Sequence, residues 1–111
     1  MPSAVSAQGL RESRMSSGPA SFVRARVWVR GQVQGVAYRA FTQDAARRRR
    51  LTGGVRNLDD GRVEIEVEGT RPDVDGFLEI LRIGPPRAEV VDLEVRWESP
   101  TRQHADFAIW Y

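Results

Sequence analysis

Two segments of this chain alternate apolar residues with charges of opposite sign, and that pairing constrains the fold more than any other feature. In the first, Val23, Ala25, Val27 and Val29 alternate with Arg24, Arg26, Trp28 and Arg30. In the second, Val63, Ile65 and Val67 alternate with Glu64, Glu66 and Glu68. A period of two buries one face of a strand and leaves the other open. If Val27 and Ile65 face one core, Arg26 and Arg30 share the open face with Glu64, Glu66 and Glu68 as cross-strand partners. Such pairs contribute about 0.2–1 kcal/mol each.

The remaining elements follow from their punctuation. Gly31 and Gly35 bracket a turn, after which Tyr38, Phe41 and Ala45 stand at helical spacing as far as about Arg50. Gly53 and Gly54 precede a short strand, Val55 to Leu58, and Asp59-Asp60-Gly61 forms a hairpin turn. Asp73 is the expected cap of a second helix, with Val74, Phe77, Leu78 and Leu81 as its apolar stripe. Gly84 and Pro85-Pro86 end it. A fourth strand spans roughly Ala88 to Glu98, with Val91, Leu93, Val95 and Trp97 on one face, and Phe107 to Tyr111 adds a short edge strand. The order β-α-β-β-α-β predicts an α+β, ferredoxin-like split βαβ sandwich: an antiparallel sheet with two helices on one face.

At 111 residues the chain fits one domain. Residues 1–20, rich in Ser, Gly, Ala and Pro without apolar period, are expected to be a disordered tail, leaving a folded body over 21–111. Met15 is an alternative start within that tail. No apolar run makes a secretory signal or a membrane span, so no membrane partner is expected. Cysteine is absent and His104, in a polar loop, is the single histidine. Disulfide scaffolds, thiolate metal sites, His-rich metal sites and cysteine nucleophiles are therefore excluded, and a reducing, cytoplasmic setting fits.

The 17 basic residues are all arginine, against 15 acids, for a net charge of +2. That is too small a field for a general nucleic-acid binder. Locally the charge is uneven. Residues 24–50 carry eight arginines against Asp44, and residues 59–79 carry eight acids against Arg62 and Arg71. A basic end that draws in an anion is one reading; cross-strand pairing is the preferred one for the strands. Arg47 to Arg50 suits the negative end of the first helix, and no aromatics interleave with it as in a single-strand binder.

The stretch Gly31-Gln32-Val33-Gln34-Gly35-Val36-Ala37-Tyr38-Arg39 joins the first strand to the first helix. Two glycines let the backbone curl, and the helix start presents unpaired N–H groups, so the turn makes an anion cradle. Arg39 adds a forked cation matched to phosphate. On spacing alone a plain strand-to-helix turn with a surface arginine is the better reading; the pattern is neither a P-loop nor a dinucleotide fingerprint. Asn57 closes the second strand. In a split βαβ the first and second strands are parallel, two strand spacings or about 10 Å apart. Arg39 and Asn57 can therefore both reach a ligand held in that gap. Asparagine at a strand end is also a common turn former.

The residues G-Q-V-Q-G-V-A-Y-R at 31–39 and V-R-N-L-D-D-G-R-V-E-I-E-V-E-G at 55–69 resemble the signature of the acylphosphatase family, as do Gly84-Pro85-Pro86 and the ending F-A-I-W-Y. The likeness covers about residues 22–111. It implies the same sandwich and hydrolysis of the carboxyl–phosphate bond of a small acyl phosphate, without metal or organic cofactor. By the same match, the backbone from Gln34, Gly35, Val36, Ala37 and Tyr38 to Arg39 would bind the phosphate, with the Arg39 side chain. Asn57 would position the attacking water. A departing carboxylate has a pKa of about 4–5, so no general acid is needed. A monomer acting without nucleic acid is expected.

The chain departs from the family pattern in two places. Gly54 stands where an aromatic usually follows the glycine at Gly53. Arg49 and Arg50 stand where a leucine and a capping glycine usually close the first helix. Two other functions share this fold. One is a catalytically silent ferredoxin-like module binding RNA or another anion, although Glu64, Glu66 and Glu68 stand where such a reader shows aromatics. The other is the substrate-binding piece of a larger carbamoyl-phosphate enzyme.

Overall fold

The structure, a computed structural model, describes residues 21–111, so the tail expected over residues 1–20 lies outside the described residues. Seven elements follow in order: β1 (Phe22–Gln32), α1 (Tyr38–Arg48), β2 (Thr52–Asn57), β3 (Val63–Thr70), α2 (Arg71–Ile83), β4 (Glu89–Glu98) and β5 (Phe107–Ile109). They form one sheet in the order β4-β1-β3-β2-β5. The first four strands pair antiparallel, as the split βαβ pattern requires. β5 adds to β2 in parallel, which makes the whole sheet mixed.

The central register puts Val27 opposite Ile65, Ala25 opposite Val67 and Val29 opposite Val63, all fully buried. Tyr38, Ala45 and Ala46 of α1 and Val74, Phe77 and Leu81 of α2 close over that face. The fourth strand corrects one expectation. Leu93 and Val95 pair with Val29 and Val27, but a bulge at Arg30/Gly31 shifts the register, bringing Val90 rather than Val91 onto the core side. Val91 is 72% exposed. An irregularity of one residue flips every side chain beyond it; its mark in the sequence is Gly31, whose φ of 130° and close approach to the Glu89 carbonyl leave no room for a side chain. Trp97 lies at the end of the strand, where the Arg71 guanidinium sits 4.1 Å from its ring centroid.

On the open face the charges pair, though not quite as predicted. Arg24 is the centre. It is 4% exposed and is held by Glu66, by Glu68 at 2.9 Å and by Glu98 at 3.1 Å. Arg26 and Arg56 complete the network on Glu64, Glu66 and Glu98. Arg30 takes no part in it among the described residues, because it lies past the last β3 glutamate on the ladder. Glu68 also accepts bonds from the Thr101 N–H and hydroxyl and the Arg102 N–H, all at 2.9 Å. Burial alone would raise its pKa, but those donors and Arg24 outweigh it and hold the carboxyl at about 2. The ionised side chain thereby fixes the connection from β4 to β5 against the sheet.

The helix ends differ from expectation in detail. α2 begins after Thr70, not at Asp73; the Thr70 hydroxyl bonds the Asp73 carboxylate at 2.9 Å. α1 stops at Arg48, short of Arg50, in a full Schellman turn: Leu51 N–H to Ala46 C=O at 3.0 Å and Arg50 N–H to Arg47 C=O at 3.1 Å. Arg50 occupies the left-handed position of that turn with φ 57°. A side chain there costs about 1–2 kcal/mol. Arg50→Gly is therefore expected to stabilise the fold by about 0.5–1 kcal/mol after glycine's extra unfolded-state entropy. A higher urea midpoint at unchanged m-value is the readout.

Candidate active site

β1 and β2 run parallel with β3 between them, so both strand ends open on one edge of the sheet. The chain leaves β1 at Gln32 and bends through residues 33–37 before α1. Gly35 takes φ 74° and Ala37 φ 63°, both left-handed. At Gly35 the angle rather than crowding calls for glycine, since a Cβ would meet nothing within 4 Å. Ala37 is the N-cap of α1, no side chain caps the helix, and no acid stands in its first turn. The first N–H groups and the positive end of the helix dipole are thus left for an external anion. An alanine held left-handed is local strain of the kind that accumulates at functional sites.

The candidate residues divide by what their side chains do. Gln34 donates to Leu58 C=O at 2.8 Å and to Arg62 C=O at 2.9 Å. Its amide ties the loop to the β2–β3 turn instead of facing a ligand. Val36 packs against the core. Tyr38 is 1% exposed and donates its hydroxyl to Leu81 C=O at 2.7 Å, and burial pushes its phenol well above the usual range. These three have only backbone groups to offer. Asp60 accepts from Arg62 N–H at 3.0 Å and behaves as the turn former expected of it.

Arg39 and Asn57 come together. They line one cavity of about 250 Å³ together with Gly35, Ala37, Ile109 and Tyr111. Arg39, one position into α1, is half-buried and makes no ion pair with a carboxylate among the described residues. Its guanidinium lies 5.1 Å from the centroid of the Tyr111 ring, a cation–π contact that leaves the N–H fork free. Asn57 ends β2, and its Oδ1 is buried with no hydrogen-bond partner among the described residues. A buried acceptor without a donor is rare in a native fold and is most easily explained by a ligand or water that it serves. Among the described residues no group of three or more histidines and acids is arranged to hold a metal.

Sequence reasoning did not assign Ile109 and Tyr111 to the cavity. Ile109 ends β5, and Tyr111, two positions on, lines the same cavity, whereas Trp110 between them packs over Gly54 on the other side. There the indole answers the departure at Gly54. A Cβ on Gly54 would lie 2.2–2.5 Å from three atoms of the Trp110 ring. The aromatic absent after Gly53 is thus supplied by the neighbouring strand.

Comparison with known proteins places the fold and the family. The acylphosphatase family model matches residues 25–109. An acylphosphatase of Chloroflexus aurantiacus is 49% identical over 87 residues, which cover 78% of this chain and 95% of that protein. The crystal structure of acylphosphatase from Bacillus subtilis superposes with a TM-score of 0.78 at 40% identity, over 80% of this chain and 99% of that one. The crystal structure of full-length HypF in its phosphate- and nucleotide-bound form is also similar. It gives a TM-score of 0.73 at 26% identity over 85% of this chain, but only 12% of that much longer chain is covered. With most of its described length matched and its signature residues gathered at one cavity, this chain belongs to the acylphosphatase family.

Proposed function

We propose that this acylphosphatase holds the phosphoryl group of a small acyl phosphate between the N–H groups opening α1 and the Arg39 fork, with Asn57 aiming the water. The observation that carries this reading is one cavity lined by Arg39, which pairs with no carboxylate among the described residues, and by Asn57, whose buried Oδ1 has no hydrogen-bond partner among them, at the positive end of a helix. Donors fixed in advance around the phosphoryl oxygens stabilise charge as it redistributes, without reorganisation during the reaction. The water oxygen bonds to phosphorus as the bond to the acyl oxygen breaks, and the carboxylate leaves with the electron pair. Asn57 accepts a hydrogen bond from the water through Oδ1 but takes no proton. A phosphoryl oxygen of the substrate takes it, and inorganic phosphate is the second product.

No metal or organic cofactor enters this scheme, and the protein acts as a monomer in the cytoplasm. Two observations favour it over the alternatives of the same fold. The β3 glutamates, in the place of an RNA reader's aromatics, are tied up with Arg24, Arg26 and Arg56. A relative named acylphosphatase is matched over 95% of its own length, which supports acyl-phosphate hydrolysis by the matched residues. The test is hydrolysis of benzoyl phosphate by the purified protein in excess EDTA. Undiminished turnover is expected; turnover restored only by added metal overturns the scheme.

A further inference from the structure

Trp110 lies outside the cavity, yet its contacts converge on the strand that carries Asn57. Its indole is pressed flat on the outer side of Gly54. The Arg56 guanidinium lies 4.9 Å from its ring centroid, and the His104 ring packs against it at 5.4 Å. Its backbone N–H, which any residue at this position keeps, donates to Val55 C=O at 2.7 Å, so the side chain's own share of the clamp is the packing over Gly54 and Arg56. The parallel pairing of β5 with β2 ends at Val55 and Ile109, so this bond is the last backbone tie on that flank of β2. Arg56 and Asn57 continue beyond it, held by β3 on one side alone. Arg56 donates its Nη2 to Glu66 at 3.1 Å and lies in an ion pair with Glu64, although its Nε makes no hydrogen bond among the described residues. The indole therefore closes a layer of Gly54, Arg56 and the acids of β3 directly behind the residue that faces the water.

We propose that Trp110 is a positioning residue for the acyl-phosphate reaction: by clamping the outer flank of β2 it fixes where the Asn57 amide points. This rests on the role given to Asn57 above. A 1 Å error in the placement of a group that orients a reactant costs as much as a hundredfold in rate. A loosened strand end lets Oδ1 wander on that scale. Phosphate binding depends on the α1 start and Arg39, which sit on another element. Loss of the clamp accordingly lowers kcat and leaves phosphate affinity near its starting value.

The experiment compares Trp110→Ala, Trp110→Phe and Leu93→Ala with the unaltered protein, using benzoyl phosphate as substrate and inorganic phosphate as competitive inhibitor. Leu93 is a buried residue of β4, away from the cavity, and controls for lost stability. Trp110→Ala is expected to lose roughly tenfold or more in kcat with the phosphate inhibition constant changed less than about threefold. Trp110→Phe keeps an aromatic over Gly54 and restores most of the rate. Leu93→Ala, with a comparably lowered urea midpoint, keeps kcat. In amide proton–nitrogen NMR spectra the Asn57 side-chain NH2 shifts or broadens in Trp110→Ala and not in Leu93→Ala. Equal kcat in Trp110→Ala and the unaltered protein overturns the proposal, as does an equal loss in Leu93→Ala. Asn57→Ala run in parallel separates the cases: if it too retains full rate, the role of Asn57 fails first.

Discussion

Asn57→Ala is expected to give a folded protein that binds inorganic phosphate normally and has lost roughly 10²–10³ in kcat. The amide sits at the end of β2, on the wall of the cavity shared with Arg39. Its Oδ1 is buried without a partner, so truncation breaks no hydrogen bond of that oxygen within the protein. A buried, unsatisfied acceptor costs about 1–3 kcal/mol. Its removal therefore leaves stability unchanged or raises it, and lost activity cannot be ascribed to unfolding. In the proposed role the group acts on the water alone, so the loss is expected in kcat rather than in binding. Asn57→Asp separates acceptor from charge. It restores an acceptor but places an anion beside the phosphoryl group, and is expected to weaken phosphate binding as well. Steady-state kinetics with benzoyl phosphate, phosphate titration and urea unfolding on the same preparations check all three statements. Full turnover in a folded Asn57→Ala protein removes Asn57 from the reaction.

The architecture was readable because period and punctuation agreed. The alternation in 23–29 and 63–67 set two neighbouring strands, and the register Val27 to Ile65 is the one that buries both apolar faces. Opposite charges on the outer faces then had to meet, although the buried centre, Arg24, is decided by the third carboxylate, Glu98, which reaches it from β4. What escaped sequence reading depends on events one residue long. The bulge at Arg30/Gly31 exchanged Val90 for Val91. The cap of α2 fell on Thr70 because helix ends are settled by backbone geometry as much as by the side chain available. The site followed the same division. Topology brings the ends of β1 and β2 together, and the family resemblance singled out Arg39 and Asn57 there; both line one cavity. Tyr111 and Trp110 were not legible, because a three-residue strand carries too little pattern to show which of two aromatics faces the cavity. Gly54 looked like a loss when read along its own strand; its partner lies across the sheet.

Arg39→Ala is expected to cost both affinity and turnover, with kcat/KM falling by roughly 10³ or more. In the proposed role the guanidinium opposes phosphoryl charge in the bound substrate and in the transition state alike, so its removal is expected to raise KM and weaken inorganic phosphate as an inhibitor, in contrast to Asn57→Ala. Its fold consequences are small. Arg39 is half-buried, forms no ion pair with a carboxylate among the described residues, and touches Tyr111 through its ring face. A cation–π contact at such a position is worth about 0.5–1 kcal/mol. Arg39→Lys keeps the charge and loses the planar fork, so it is expected to recover part of the phosphate affinity and little of the rate. That ordering follows from geometry: a phosphoryl group spreading its charge over several oxygens is matched by paired donors, whereas an ammonium supplies one point charge. Steady-state kinetics and calorimetric titration of inorganic phosphate measure both quantities. If Arg39→Ala binds phosphate as tightly as the unaltered protein, the anion is held elsewhere and the cavity at the start of α1 is not the active site.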